Sequence, residues 1–181
     1  MGDAKTVRQR SVFEGKVVSL SVEEVELPNG QVTELELIRH PGAAAMVALT
    51  AENEVLLVRQ YRHATGGWLL EVPAGKLDPG EGPETCAERE LEEEVGARPG
   101  RLEPLGWIWT TPGFTDEKIF LYLARDLEMT AQNLQEDEVL SVITLPFEQA
   151  IEKIHAGEIC DAKSVCALLR AERLLLNERG V

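Results

Sequence analysis

GKLDPGEGPETCAERELEEEVGA, residues 75–97, is a loop that runs into a short and very acidic helix. Gly82-Pro83 starts that helix, because proline at the first helical position lacks only an N–H that has no partner there, and Gly96 stops it. About three turns lie between. At helical spacing Ala87, Leu91 and Val95 form one apolar stripe fit to pack on a sheet, while Glu90 and Glu94, four apart, project together along its edge. Like charges at that spacing repel, Glu93 adds a third carboxylate, and Arg89 is the only base in the helix. An acidic run on a helix is by default a solvated face. Here two of the carboxylates border the stripe that must be buried, and a hard divalent cation would resolve the conflict. Magnesium suits such donors, since it prefers oxygen ligands, keeps several waters and is commonly shared with substrate phosphates. Arg89, four before Glu93, can hold that carboxylate from behind.

The same residues spell G-x5-E-x7-R-E-U-x-E-E-x-G-U, with U apolar: Gly75, Glu81, Arg89, Glu90, Leu91, Glu93, Glu94, Gly96 and Ala97. This resembles the Nudix box, the signature of hydrolases that cleave a nucleoside diphosphate linked to another group. The one departure, Ala97, is smaller than the usual aliphatic residue and bears on packing. The resemblance implies that Glu90, Glu94 and the backbone carbonyl of Ala74 bind metal, two or three Mg2+ ions with Mn2+ as the alternative. Gly75 would let the backbone approach them closely. Glu93 and Arg89 would orient the ligands, and Glu81 would support the loop or act on the metal from outside its direct ligands.

The whole chain, 181 residues with 44% hydrophobic content, suits one ordinary domain with a small appendage. A formal charge of −14 argues against nucleic-acid and membrane-surface partners, which call for a basic patch. An anionic substrate then has to be recruited by metal ions and a few local arginines. Cys86, Cys160 and Cys166 are odd in number and lack a C-x-x-C spacing, which reads as reduced thiols in a cytoplasmic protein. The start, MGDAKTVRQR, has no apolar run behind it, and no stretch is long and apolar enough to span a bilayer.

From Ser11 the chain alternates as strands do, with Pro28-Asn29-Gly30 as a hairpin turn. Residues 1–40 read as an antiparallel sheet and 41–181 as the main domain. Val22, Val25 and Leu27 against Val32, Leu35 and Leu37 give more apolar surface than so small a sheet can bury alone, so it must dock on the rest of the chain or on a second copy, and a homodimer is expected. Ala43–Thr50 is continuously apolar, as a central strand should be, and Glu54–Tyr61 follows after a polar turn. Arg59 and Arg62 close that second strand one strand upstream of the acidic helix; Arg62, then Arg59, are candidates to pair with a phosphate, for which the guanidinium fork is suited. Strands are expected at Trp68–Val72, at Leu105–Thr110 with both Trp107 and Trp109 in the core, at Lys118–Ala124 and at Val139–Leu145; the alternative is that Phe114 or one of those tryptophans stacks on a base. Helices are expected at Pro146–Ala156 and Ala162–Asn177, with Ile151, Ile154, Val165, Leu168 and Leu169 facing the core.

Thr110–Glu117, TTPGFTDE, holds more than a turn requires. Its Pro112 falls 15 residues after the box ends, which resembles the secondary signature of the ADP-ribose pyrophosphatases within the Nudix family. The resemblance implies contacts to the terminal ribose from Thr111, Pro112, Gly113 and Glu117. It also makes Glu136, in the acidic loop 135–138, the general base, and Glu138 a further metal ligand, with the two roles open to exchange. The fold implied is a Nudix-type α/β/α sandwich with a mixed sheet plus the N-terminal antiparallel sheet. The reaction implied is Mg2+-dependent hydrolysis of ADP-ribose to AMP and ribose 5-phosphate. Its rivals are another nucleoside diphosphate sugar, such as ADP-glucose or GDP-mannose, and a sensing domain that keeps the fold without turnover.

Overall fold

The computed structural model describes residues 3–135 and 138–180. By compactness the chain forms two units, residues 1–42 with 109–118, and residues 43–108 with 119–181.

The first unit is built on an antiparallel sheet of β1 (Lys5–Glu14), β2 (Ser19–Glu26) and β3 (Val32–Arg39), in that order. β1 begins six residues before the alternation visible in the sequence. Its residues are exposed throughout, so no burial imposes an apolar period on KTVRQR. The buried face of β2 differs from expectation as well. Ser21, Glu23 and Val25 occupy it, whereas Val32 of β3 is exposed. Glu23 is tolerated there because the Arg39 guanidinium donates to it at 2.6 Å and the Ser21 hydroxyl at 3.1 Å. Residues 109–118 are laced to the end of β3: Ile38 N–H donates to the Phe114 carbonyl at 2.8 Å, and Arg39 reaches Asp116 at 3.2 Å.

The second unit is a mixed sheet in the order β10-β5-β4-β9-β8, with β6 on β5 and β7 on β4. The strands are β4 (Ala43–Leu49), β5 (Glu54–Arg62), β6 (Gly67–Glu71), β7 (Ala74–Lys76), β8 (Ala97–Trp109), β9 (Lys118–Met129) and β10 (Leu140–Pro146). β4 pairs parallel with β9 and antiparallel with β5. Alternation along β4 explains the layers. Ala43, Ala45, Val47 and Leu49 face a core shared with α2 (Phe147–His155) and α3 (Ala162–Arg179), whereas Ala44, Met46 and Ala48 face α1 (Pro83–Val95). A strand buried on both faces has no polar side to show, hence its unbroken apolar run. This is the expected α/β/α sandwich.

Three further expectations need correction. β8 is longer than the strand read around Leu105–Thr110 and contains Pro99 and Pro104, which it can carry because it lies at the edge of the sheet, where a missing N–H is tolerated. Trp107 and Trp109 are exposed rather than core, at 45% and 47%. In α3 the buried stripe is Ser164, Ala167, Leu168, Ala171 and Leu175, which turns Leu169 outward.

Candidate active site

Helix α1 starts after Gly82 with Pro83 in its first turn and ends at Gly96, whose φ of 65° is the left-handed conformation that glycine adopts at least cost. Cys86, Ala87, Leu91 and Val95 are buried against the sheet. That packing carries Glu90 and Glu94 down with it, to 4% and 2% exposure. One oxygen from each of Glu90, Glu94 and Glu138 lie within 4.8 Å of one another. Burial pushes the Glu94 carboxyl up to about 8, against the pull of the Ala74 N–H that donates to it at 2.9 Å, and the neighbouring Glu90 and Glu138 raise it further. Burial likewise raises Glu90, with Arg89 opposing. All the donors are carboxylate oxygens, the set a hard divalent cation takes, and the group is short of positive charge. These residues fit a divalent metal site.

Gly75 shows how tightly the loop is drawn onto the helix. A Cβ at this position would overlap the Glu90 carboxyl group, so the loop approaches only because the side chain is absent. Arg89 ties the rest of the motif together. Its Nε donates to Glu81 at 2.8 Å, its Nη1 to Glu90 at 2.6 Å and to Glu93 at 3.1 Å, and its Nη2 to the Lys76 carbonyl at 3.1 Å. The Glu81 carboxyl, held first by Arg89 and then by the Asp78 amide against the cost of burial, sits down at about 2. Glu81 therefore fixes the arginine and, through it, the loop. Cys86 lies beneath, buried, its thiol pushed up to about 12 by burial and by the negative charges of Glu81 and Glu90.

The two arginines of β5 part company. Gln60 and Arg62 fall on the same side of the strand as Leu56 and Val58, which pack towards α1, while Arg59 follows Val55 and Leu57 to the opposite face and lies 4.5 Å over the Trp68 ring. Arg62 makes a two-pronged pair with Glu71, at 3.1 and 2.8 Å. Glu71 is 1% exposed and takes a second cation, Lys163 of α3, at 2.6 Å. Burial opposes its ionisation, but Arg62 and Lys163 outweigh that and hold its carboxyl below the usual range. Lys163 also pairs with Asp161 at 2.9 Å, and Asp161 caps α3 through the Ser164 amide. Sequence reasoning missed Lys163. The available signals were a glutamate in an otherwise apolar strand, which demands a cation, and the D-x-x-S cap that places Lys163 in the first turn of α3.

Thr111, Pro112, Gly113 and Glu117 lie in the first unit, where Glu117 accepts from the Thr110 hydroxyl at 2.8 Å and faces His40 at 3.7 Å. Ala74 lies in β7, opposite Ala45 of β4. Glu136 falls outside the described residues.

Fold and site together place a cluster of carboxylates that fits a divalent cation on and beside an acidic helix packed against a mixed sheet. A NUDIX domain model matches residues 39–168. The chain is 44% identical over 168 residues to the methanol dehydrogenase activator of Bacillus methanolicus, covering 92% of this chain and 91% of that one. It is 40% identical over 168 residues to the ADP-ribose pyrophosphatase of Bacillus subtilis strain 168, with the same coverage. A solved structure of an ADP compounds hydrolase superposes with a TM-score of 0.85 at 24% identity, covering 99% of this chain and 97% of that one, which establishes the likeness of fold. The chain belongs to the Nudix family and is a Nudix pyrophosphohydrolase. Among the described residues no helix is long and apolar enough to cross a membrane.

Proposed function

We propose that the protein hydrolyses the pyrophosphate bond of ADP-ribose to AMP and ribose 5-phosphate with Mg2+. The observation that carries this reading is the convergence of Glu90, Glu94 and Glu138 within 4.8 Å on and beside the helix of the Nudix box. The choice of ADP-ribose is supported by the TTPGFTDE loop and by the 40% identity to an ADP-ribose pyrophosphatase across 92% of the chain.

Glu90, Glu94, Glu138 and the Ala74 carbonyl would hold the ions. Bound there, divalent cations would neutralise the diphosphate and make a water molecule more acidic. Arg89 keeps Glu81, Glu90 and Glu93 in register, so that their geometry is set before substrate arrives. Arg62, on the α1 face of the sheet, anchors a diphosphate oxygen, and Arg59, over Trp68, is the less favoured candidate. Glu136 accepts the proton of the attacking water as its oxygen bonds to phosphorus, and the bridging oxygen departs with the other phosphate; Glu138 is the alternative base. Thr111, Pro112, Gly113 and Glu117 contact the terminal ribose.

In the same reading the N-terminal sheet joins two copies, because β1 leaves Val7, Val12 and Phe13 between 49% and 58% exposed. Light scattering on the eluting protein would show a dimer; a monomer at working concentrations would remove this part. Cysteines without a pairing pattern support a cytoplasmic setting. The substrate assignment is tested by measuring kcat/KM for ADP-ribose, ADP-glucose and GDP-mannose side by side. ADP-ribose is expected to lead, and a clear preference for either other sugar would move the assignment to that compound.

A further inference from the structure

The buried carboxylate of Glu71 holds two cations, and they differ in exposure. The side chain of Lys163 is 11% exposed and that of Arg62 38%. Both reach the same oxygen, Oε2, Lys163 at 2.6 Å and Arg62 at 2.8 Å. Lys163 is shared between Glu71 and Asp161, so Arg62 completes the pairing on Glu71 from the outer side and meets a carboxylate that the inner lysine already holds in place. The lysine is itself held by Asp161, whose carboxylate accepts the amide and the hydroxyl of Ser164 at 3.0 and 2.6 Å; that hydroxyl in turn accepts the Val72 N–H at 2.9 Å. The chain of contacts thus runs from a helix terminus to the guanidinium without an exposed link until Arg62. On that guanidinium, Glu71 takes Nε and one N–H of Nη2, while the two N–H groups of Nη1 lie outside the pairing.

We propose that Lys163 is a positioning residue for substrate binding: through Glu71 it fixes the Arg62 guanidinium so that its outer N–H edge is set for a diphosphate oxygen. This rests on the reading of Arg62 as the phosphate anchor. Lys163 touches no reacting atom. Its effect falls on KM, because a wandering guanidinium must be ordered anew each time substrate binds.

The test is a double-mutant cycle on the full chain, with ADP-ribose and Mg2+ as the probe, using Lys163→Met, Arg62→Ala and the pair. Lys163→Met is expected to raise KM roughly five- to tenfold with kcat within about twofold, and to have no further effect once Arg62 is gone. Lys163→Arg should recover most of the loss. A second readout needs no turnover and serves also if Lys163→Met folds poorly, in which case Lys163→Gln replaces it. The Arg62 Nε–H resonance, assigned by its absence from Arg62→Ala, should be sharp in the wild type and broadened in the Lys163 variant. If Lys163→Met raises KM by the same factor with and without Arg62, or leaves both KM and the resonance unchanged, the contact merely joins α3 to the sheet and the inference falls. If Arg62→Ala alone leaves KM unchanged, the phosphate-anchor reading fails first and takes this inference with it.

Discussion

Replacing Glu94 with glutamine tests whether the buried carboxylates are held for a cation at the expense of the metal-free fold. The carboxyl ionises near 4.5 in the unfolded chain and at about 8 in the native one. Between those values the native state keeps a proton that the unfolded chain has released, so stability falls as pH rises through that window. At about 1.4 kcal/mol per pH unit the span sets a ceiling of about 5 kcal/mol on the loss. Titration shared with the neighbouring Glu90 makes the observed figure smaller, on the order of 2–4 kcal/mol. Glutamine keeps an oxygen for the Ala74 N–H, which donates to Glu94 at 2.9 Å, and carries no charge. Urea unfolding with a chelator present, followed by tryptophan fluorescence between about pH 5 and pH 8.5, measures the difference. Glu94→Gln should match the wild type near pH 5 and exceed it by that amount near pH 8. Adding Mg2+ at the higher pH should raise the wild type alone. Two stability curves that run parallel across this range would refute the reasoning.

Three other perturbations probe the scaffold. Gly75→Ala forces a Cβ into the Glu90 carboxyl, and should lower kcat/KM at least about a hundredfold while costing about 1–3 kcal/mol, as read by kinetics and thermal unfolding. Glu81 is held ionised down to about 2, so its contribution is present above pH 4.5 and is lost as pH falls towards 2; Glu81→Gln should shrink the acid-induced drop in stability. Cys86 is buried with its thiol at about 12, whereas Cys160 is exposed, so an aromatic disulfide reagent should react promptly with Cys160 and reach Cys86 only after unfolding.

The motif on α1 was legible because local signals agreed: a proline and two glycines bounded the helix, and its apolar stripe fixed which glutamates would be buried. The central strands were legible for a similar reason, since Ala43–Leu49 is apolar on both faces and is buried on both. Legibility failed where burial does not shape the sequence. β1 and β8 are edge strands, free to carry charges and prolines, and the exposed tryptophans of β8 follow from the same position. The Glu71–Lys163 pair joins residues 92 apart, a distance no local period spans. The α1 side of Arg62 needed only the phase of β5, but that phase is set by which face each neighbouring helix covers.

The most direct test of the account is to identify what the protein makes from ADP-ribose, by chromatography, with Mg2+ or with chelator, for the wild type and Glu94→Gln. The account predicts equal amounts of AMP and ribose 5-phosphate, formed only with the metal and lost in the variant. Release of ADP and free ribose, or turnover that survives the chelator or the substitution, would contradict it.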